Sequence, residues 1–328
     1  MQIKSEWELL KNIESLIDKK GLVKSNDLLQ SIGDDCAVFK INDNKLGLIT
    51  TDISIEGVHF KRGLIPFNDI GYKAMMANIS DITAMGGEPR FAFISLGIPE
   101  GLGKKDVLAI YDGLLEAGNS AGLIIAGGDT SKAKELILNI ALYGETAKKN
   151  LVRRKGTKTG DLIYVTGSLG DSMAGLEILL SRNRKQVKKY GSLTDKHKRP
   201  TARFAVINEI LKKFKPTSMI DISDGLLSDL RHICETNKVG FKLSEDMLPM
   251  SRELKEYSTA LDKSCYDYAL NSGEEYELLF TSSKELLQGI IIKGIPVTPI
   301  GRITDNGYYL IRNNKQIKIP ITGYDHFK

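Results

Sequence analysis

The chain has 328 residues, 41% apolar and 27% charged, with a net charge of +5, enough length for two domains that each bury a core. No apolar run reaches the roughly 18 residues that span a bilayer, and the opening Met1-Gln2-Ile3-Lys4-Ser5-Glu6-Trp7 is no signal peptide, so a cytoplasmic protein with no membrane partner is expected. The mild positive charge suits phosphate-bearing substrates without requiring nucleic acid, and the odd, unpatterned set Cys36, Cys234 and Cys265 argues against disulfides or structural zinc and for buried small apolar residues.

Trp7, Leu10, Ile13, Leu16 and Ile17 recur at helical spacing and predict an opening amphipathic helix whose role is packing. Gly33-Asp34-Asp35 follows, then a hairpin of residues 37–41 and 46–50 around the polar turn Asn42-Asp43-Asn44-Lys45. Its second strand ends in Thr50-Thr51-Asp52, and Glu56, Gly57 and His59 lie in a loop. A helix from about Asp69, the expected N-cap, to Met85 stops at Gly86-Gly87 and sets Asn78 and Asp81 on one polar stripe. A strand (90–98), a helix (104–117) and a strand (123–126) lead into the turn Gly127-Gly128-Asp129-Thr130, and another strand covers 136–143.

Residues 144–160 are polar, basic and punctuated by glycine, and the domain boundary is placed there, between 1–147 and 148–328. Beyond it are a strand (162–166), a helix from a cap at Asp171 to about Leu180, and a basic stretch, 181–200, expected as a helix end and long loop. A helix is predicted from about Ala202 to Phe214. Met219-Ile220 enters Asp221-Ile222-Ser223-Asp224-Gly225, ahead of a helix marked by Leu226, Leu227, Leu230 and Ile233. A strand at 240–243, a helix near 262–270, Gly273-Glu274-Glu275, a strand at 276–281, a helix near 284–292 and strands at 297–303 and 308–312 complete the pattern. The alternation favours an α/β or α+β fold with two mixed sheets, and no 20 to 50 residue repeat is evident.

Asp34, Asp35, Asp52, Asp81, Asp129, Asp221 and Asp224 sit at turns, strand ends or mid-helix, several beside glycine. So many acids exceed what capping asks for. Mg²⁺ takes carboxylate and phosphate oxygens together, and an acidic site can accept a polyphosphate only with metal ions between them, which points to metal-bridged phosphoryl transfer. Gly127-Gly128 adds backbone N–H groups that can approach a phosphate. There is no GxxxxGK[ST] loop, no GxGxxG opening a helix, no kinase HRD or DFG, no nucleophile elbow and no HExxH.

In order, Gly33-Asp34-Asp35, Thr51-Asp52, Asn78-Ile79-Ser80-Asp81-Ile82-Thr83-Ala84-Met85-Gly86, Gly127-Gly128-Asp129-Thr130, Asp221-Ile222-Ser223-Asp224-Gly225-Leu226, Ser272-Gly273-Glu274-Glu275-Tyr276-Glu277-Leu278 and Gly323-Tyr324-Asp325-His326-Phe327 resemble the thiamine-monophosphate kinase family. That family belongs to the superfamily of aminoimidazole ribonucleotide synthetase and selenophosphate synthetase. The resemblance implies a two-domain synthetase-like fold and ATP-dependent phosphorylation of thiamine monophosphate to thiamine diphosphate, by direct in-line transfer with several Mg²⁺ ions. It implies Asp35, Thr50, Thr51, Asp52, Asp81, Asp129, Asp221 and Asp224 as metal ligands. ATP contacts would be Tyr111, Gly128, Arg154 and Ser223, and substrate contacts His59, Glu274 and Tyr324. It also implies a homodimer whose N-terminal domains pair through their sheets, while the aromatic cluster Tyr324-Asp325-His326-Phe327 suggests a docked tail. Glu275 stands where the family usually has Asp, which leaves its supporting role open. Side chains alternate in extended chain, so the adjacent acids should not both face the metals; the resemblance picks Asp35 as the ligand, which leaves Asp34 as a turn or supporting residue. Two other readings stand beside this one. The first is another ATP-dependent member of the superfamily; the second is nucleic-acid binding through 181–200, which holds a single aromatic, Tyr190, where stacking needs several.

Overall fold

The computed structural model describes residues 6–20 and 25–320. Its helices are α1 (Glu6–Lys20), α2 (Phe67–Ala84), α3 (Lys104–Ser120), α4 (Asp171–Ser181), α5 (Arg184–Lys189), α6 (Gly191–Lys198), α7 (Ile207–Phe214), α8 (Leu226–Asn237), α9 (Arg252–Ala260) and α10 (Cys265–Asn271). The strands of the first lobe are β1 (Leu28–Gln30), β2 (Ala37–Lys40), β3 (Lys45–Ile55), β4 (Glu88–Ile98), β5 (Ile124–Lys132) and β6 (Ile137–Ala147). Those of the second are β7 (Leu162–Thr166), β8 (Ser218–Asp221), β9 (Gly240–Ser244), β10 (Leu278–Ser282), β11 (Ile290–Ile292), β12 (Ile295–Thr304), β13 (Tyr308–Arg312) and β14 (Lys315–Lys318).

The first sheet runs β1-β2-β3-β6-β4-β5, the second β14-β13-β9-β12-β7-β10-β8 with β11 on β12. Both are mixed: β4 pairs β5 in parallel, and β13 pairs β9 in parallel, within otherwise antiparallel ladders. The two-sheet α/β architecture matches the expectation.

Alternation of buried and more open residues along β6 shows one face of the first sheet turned to the core. Val38, Leu48, Ile94, Ile140 and Leu142 pack there against Ile70, Met75, Ile79 and Ile82 of α2 and Ile110 and Leu114 of α3. The two helices approach closely because Gly71 lies on Ile110 and Gly113 on Asn68, where a Cβ would come within 2.0 and 1.7 Å of a carbonyl oxygen. On the other face Ile49, Ile53, Phe91, Phe93 and Ile124 are exposed, each by 41% or more. The C-terminal end of α2 reaches the second lobe, where Ala84 joins Tyr164, Phe214, Met219 and Phe280. One helix thus belongs to both lobes, and it carries Asp81.

Several expected elements differ. Asp69 does not cap α2: the cap position is Pro66, and Asp69 instead pairs with Arg199 at 2.8 Å. Asp52 lies inside β3 rather than at its end, because the ladder with β6 continues to Ile55. Gly127-Gly128-Asp129-Thr130 is not a turn but part of β5, held in register on β4. Gly128 is required by that pairing, since a Cβ there would lie 1.9 Å from the Ile94 carbonyl oxygen. The basic stretch 181–200 folds into α5 and α6, residues 202–206 precede α7 outside any helix, and Asp171 opens α4 after Gly170 as cap. The helix expected near 284–292 is replaced by the short strand β11, whose Ile290 and Ile292 turn against β12, and the one expected near 262–270 begins only at Cys265 after α9. Leu10, Ile13 and Leu16 of α1 are exposed rather than packed. The cysteines are free; Cys36 and Cys234 are buried as expected, whereas Cys265 is half-buried. The Tyr324 tail lies outside the described residues.

Candidate active site

A cavity of about 1320 Å³ lies between the lobes. It is lined by Asp34 and Asp35 from the loop before β2, Thr50 and Asp52 from β3, Lys73 and Asp81 from α2, Arg154, and Asp221, Ser223, Asp224 and Glu274 from the second lobe. Gly33 makes the entry turn at φ +110°, a conformation that strains any side chain.

Asp35, Asp81 and Asp221 bring carboxylate oxygens within 4.8 Å of one another. Each comes from a different element. Ser80 Oγ donates to Asp221 Oδ2 at 2.6 Å across the lobes, and Thr50 Oγ1 donates to Asp81 Oδ2 at 2.6 Å. Asn78 fastens β3 to α2 by accepting from the Asp52 N–H at 3.2 Å. Asp35 Oδ2 is buried and has no hydrogen-bond partner among the described residues. A buried carboxylate oxygen facing two other carboxylates is costly unless a cation joins them, so the donor set fits a hard divalent ion with oxygen ligands.

Arg154 partly neutralises this cluster. Its guanidinium bonds Asp35 Oδ1, with Nε at 3.2 Å, and its backbone N–H donates to Asp34 Oδ2 at 3.2 Å. Asp34 therefore ties two loops together while Asp35 faces the other acids. Asp34→Asn keeps an amide oxygen for the Arg154 N–H, so kcat is expected to fall by less than about tenfold, the scale of one neutral hydrogen bond. Steady-state rates of Asp34→Asn beside Asp35→Asn check this.

Burial first, then neighbouring acids, pushes these carboxyls up: Asp52 to about 6, Asp34 to about 7, Asp221 to about 8, and Asp81 well above the usual range. Raised carboxyls stabilise the fold fully below their unfolded value near 4, and this contribution is lost as pH rises through their folded values. Buried His197 and His232, both lowered to about 3 by desolvation, act oppositely, but only below the unfolded histidine value of about 6.5. Between pH 7 and 9 the histidines no longer oppose the carboxyls. The metal-free protein is expected to lose melting temperature over that window, and Mg²⁺ to restore it most at pH 9, since ligands bind deprotonated. Melting curves in EDTA and in Mg²⁺ decide this; an EDTA curve flat from pH 7 to 9 contradicts it.

A second acidic group, Asp224, Asp229 and His232, also lies within 4.8 Å. Here Asp229 Oδ2 accepts the backbone N–H groups of Ser223, Asp224 and Gly225 at 3.1 to 3.2 Å. Ser223 and Asp224 are thus not the N-cap of α8; Asp229 reaches back and shapes their loop, leaving them to line the cavity.

Not every expected residue converges. Thr51 lines the cavity, but its hydroxyl turns to Asn139 at 3.3 Å, away from the carboxylate cluster, because strand neighbours alternate. Gly128 and Asp129 lie on exposed β5, Tyr111 packs against the first-lobe core from α3, and none of the three lines the cavity. His59 does, its Nδ1 accepting the Ile55 N–H at 3.1 Å.

Sequence reasoning missed Lys73, Ser80, Ser172 and His197. Ser80 stood inside the matched Asn78–Gly86 stretch, the one available signal; the others carried none. Lys73 Nζ lies 2.7 Å from Glu274 Oε1 with its side chain 8% exposed, and 3.4 Å from His197 Nε2. Glu274 and Tyr276 have left-handed backbones, φ +56° and +51°, strain of the kind that persists where the surroundings enforce it. Between them Glu275 Oε1 accepts from the Gly170 and Ser172 N–H groups and from Ser272 Oγ at 2.6 to 3.0 Å, so it holds the first turn of α4. That is its supporting role.

AIR synthase related protein sequences match in two parts, the N-terminal domain over residues 33–146 and the C-terminal domain over 158–312. The chain is 38% identical over 306 residues to thiamine-monophosphate kinase of Aquifex aeolicus, covering 93% of this chain and 96% of that one. It is 34% identical to the Bacillus subtilis thiamine-monophosphate kinase, covering 90% and 93%. The solved structure of AaThiL complexed with AMPPCP and TMP matches with a TM-score of 0.87 at 35% identity, over 100% of this chain and 99% of that one. By its fold, its ordered motifs and this similarity along nearly its whole length, the chain belongs to the thiamine-monophosphate kinase family.

Proposed function

We propose that the protein transfers the γ-phosphoryl group of ATP to thiamine monophosphate, giving thiamine diphosphate and ADP. A phosphate oxygen of thiamine monophosphate forms a bond to the γ-phosphorus while the bond from that phosphorus to the β–γ bridging oxygen breaks, and ADP leaves with the electron pair. The observation that carries this reading is one cavity holding both the Asp35-Asp81-Asp221 cluster and Glu274. The relatives' names and a neighbour that binds AMPPCP and TMP support it.

The acceptor is already an anion near neutral pH, since a phosphomonoester loses its second proton near pH 6. No general base or covalent nucleophile is needed, and catalysis rests on positioning and charge neutralisation. Asp35, Asp81 and Asp221, with Asp52, Asp224 and Thr50, would hold Mg²⁺ ions. When bound, such ions would supply the positive charge that offsets the phosphate oxygens of both substrates. Arg154 and Ser223 line the cavity as ATP contacts, and His59 and Glu274 as substrate contacts.

The division into residues 1–147 and 148–328 belongs to this reading: the first sheet ends at Ala147 and the second begins at Leu162. A homodimer belongs to it as well. The exposed Ile49, Ile53, Phe91, Phe93 and Ile124 on one sheet face form the kind of apolar surface that a partner covers. Gly128 and Asp129 stand apart from the cavity, on exposed β5.

The test is direct. Purified protein with Mg²⁺, ATP and thiamine monophosphate should yield thiamine diphosphate and ADP in equal amounts. Equal or faster turnover of unphosphorylated thiamine, release of AMP, or a trapped phospho-enzyme would each overturn the reading.

A further inference from the structure

Among the cations that line the cavity, Lys73 is the one that meets Glu274. Lys73 belongs to α2 of the first lobe, whereas Glu274 and His197, which receive its ammonium, belong to the second. The geometry dictates their protonation. A lysine ammonium offers only donors, so His197 Nε2, 3.4 Å away, has to accept, and the ring proton is on Nδ1. That Nδ1–H points to Ser172 Oγ at 3.1 Å and lies 3.6 Å from Glu274 Oε2. His197 is buried and neutral, flanked by Ser172 at the start of α4, itself gripped by Glu275.

Glu274 is thereby held on both sides. Oε1 takes the ammonium, Oε2 faces the imidazole, and its backbone N–H donates to the Ser223 carbonyl at 2.8 Å in the left-handed conformation. Although burial works against the charged form, the Lys73 ammonium beside it more than offsets this and keeps the carboxyl below its ordinary value. With 29% of its side-chain surface still open, the carboxylate is presented to the cavity in one orientation.

We propose that Lys73 is a positioning residue for substrate recognition: through its contact with Glu274 it fixes that carboxylate, with His197 and Ser172 as backing, to receive a hydrogen-bond donor or cationic ring of thiamine monophosphate. This rests on the reading of the protein as a thiamine-monophosphate kinase. It goes beyond that reading in assigning work to Lys73 and His197, and in stating that the group met at Glu274 is a donor or cation rather than the phosphate.

A double-mutant cycle on the full-length protein tests it, with wild-type turnover of thiamine monophosphate measured first. Lys73→Met is expected to raise KM for thiamine monophosphate about 10- to 100-fold, the scale for losing a charge-assisted hydrogen bond, with kcat and KM for ATP changed less than about threefold. Glu274→Gln should raise the same KM. In the Glu274→Gln background, Lys73→Met should add less than about twofold, because Lys73 acts through Glu274. A full additional rise would mean that Lys73 touches the substrate itself and overturns the proposal. So would a rise confined to KM for ATP, or a loss in melting temperature with KM for thiamine monophosphate unmoved. If Lys73→Met does not fold, Lys73→Gln runs the same cycle with a smaller KM rise that should again vanish beside Glu274→Gln. Absence of wild-type turnover would count against the proposed function, whereas turnover with an unmoved KM in the variants counts against Lys73 alone.

Discussion

Asp81→Asn is expected to lower kcat at least about 100-fold at saturating Mg²⁺, the scale for removing one ligand of the charge that stabilises the transferring phosphoryl group. The same change should make the metal-free protein more stable. Asp81 Oδ2 accepts the Thr50 hydroxyl, its carboxyl is buried, and Asp52, Asp221 and Asp35 all press against its charge. An amide keeps the hydrogen bond and removes the repulsion. Each kcal/mol recovered should raise the melting temperature by about 2–4 °C in a protein of this size class. The gain should be largest at pH 9, where the wild-type cluster is most charged. Opposite signs for activity and metal-free stability separate a metal ligand from a structural acid. A near-normal rate, or a lower melting temperature in EDTA at pH 9, returns Asp81 to a structural role.

Glu277→Gln is expected to do the reverse, costing stability of about 3–5 kcal/mol, the range for breaking a buried ion pair on one side. Glu277 is fully buried beside the acidic site, yet no part of it is left open. Lys196 Nζ lies 2.9 Å from Oε1, Thr166 Oγ1 donates to Oε2 at 2.7 Å, and the Arg203 guanidinium bonds Oε1. Burial opposes its charge, but Lys196 and Arg203 outweigh burial and lower its carboxyl. A lowered carboxyl stabilises above the unfolded value near 4.3 and loses that contribution as pH falls through its folded value. The gap in melting temperature between wild type and variant should therefore be full at pH 7 and close below about pH 4. A variant that melts with the wild type at pH 7 would show that Lys196 and Arg203 find other partners.

These two acids show how far side-chain type alone could be read. Asp35, Asp81, Asp221 and Asp224 stood out in the sequence because carboxylates beside glycines or mid-helix have few structural uses, and these four do line the cavity. Thr51 was implied by the resemblance and Asp129 also by its place beside glycine, and the pleat sends both side chains to exposed positions away from the carboxylate cluster. Lys73 and His197 were invisible. A lysine in a helix of this composition is ordinarily solvated, and only the docking of α6 and the Glu274 loop onto α2 buries it.

The local elements were legible where periodicity was strong. The polar hairpin turn is one case: Asn42 Oδ1 accepts the Asn44 and Lys45 N–H groups, as that residue type at that place requires. Short segments were not legible, because a run such as Ile290-Ile291-Ile292 suits a helix or a strand equally until β12 supplies the ladder.

What the sequence determined by itself was the family, the two-sheet α/β class and the identity of the acids, since motif order and residue chemistry travel with the chain. Tertiary structure alone decided which acids converge, that Arg154 sits on Asp35, that Glu275 braces α4, and that Glu274 is held from the opposite lobe. The physical reason is range. Helical and strand patterns are set by neighbours a few residues apart, whereas Ser80 to Asp221 and Lys73 to Glu274 meet only when two lobes close on α2.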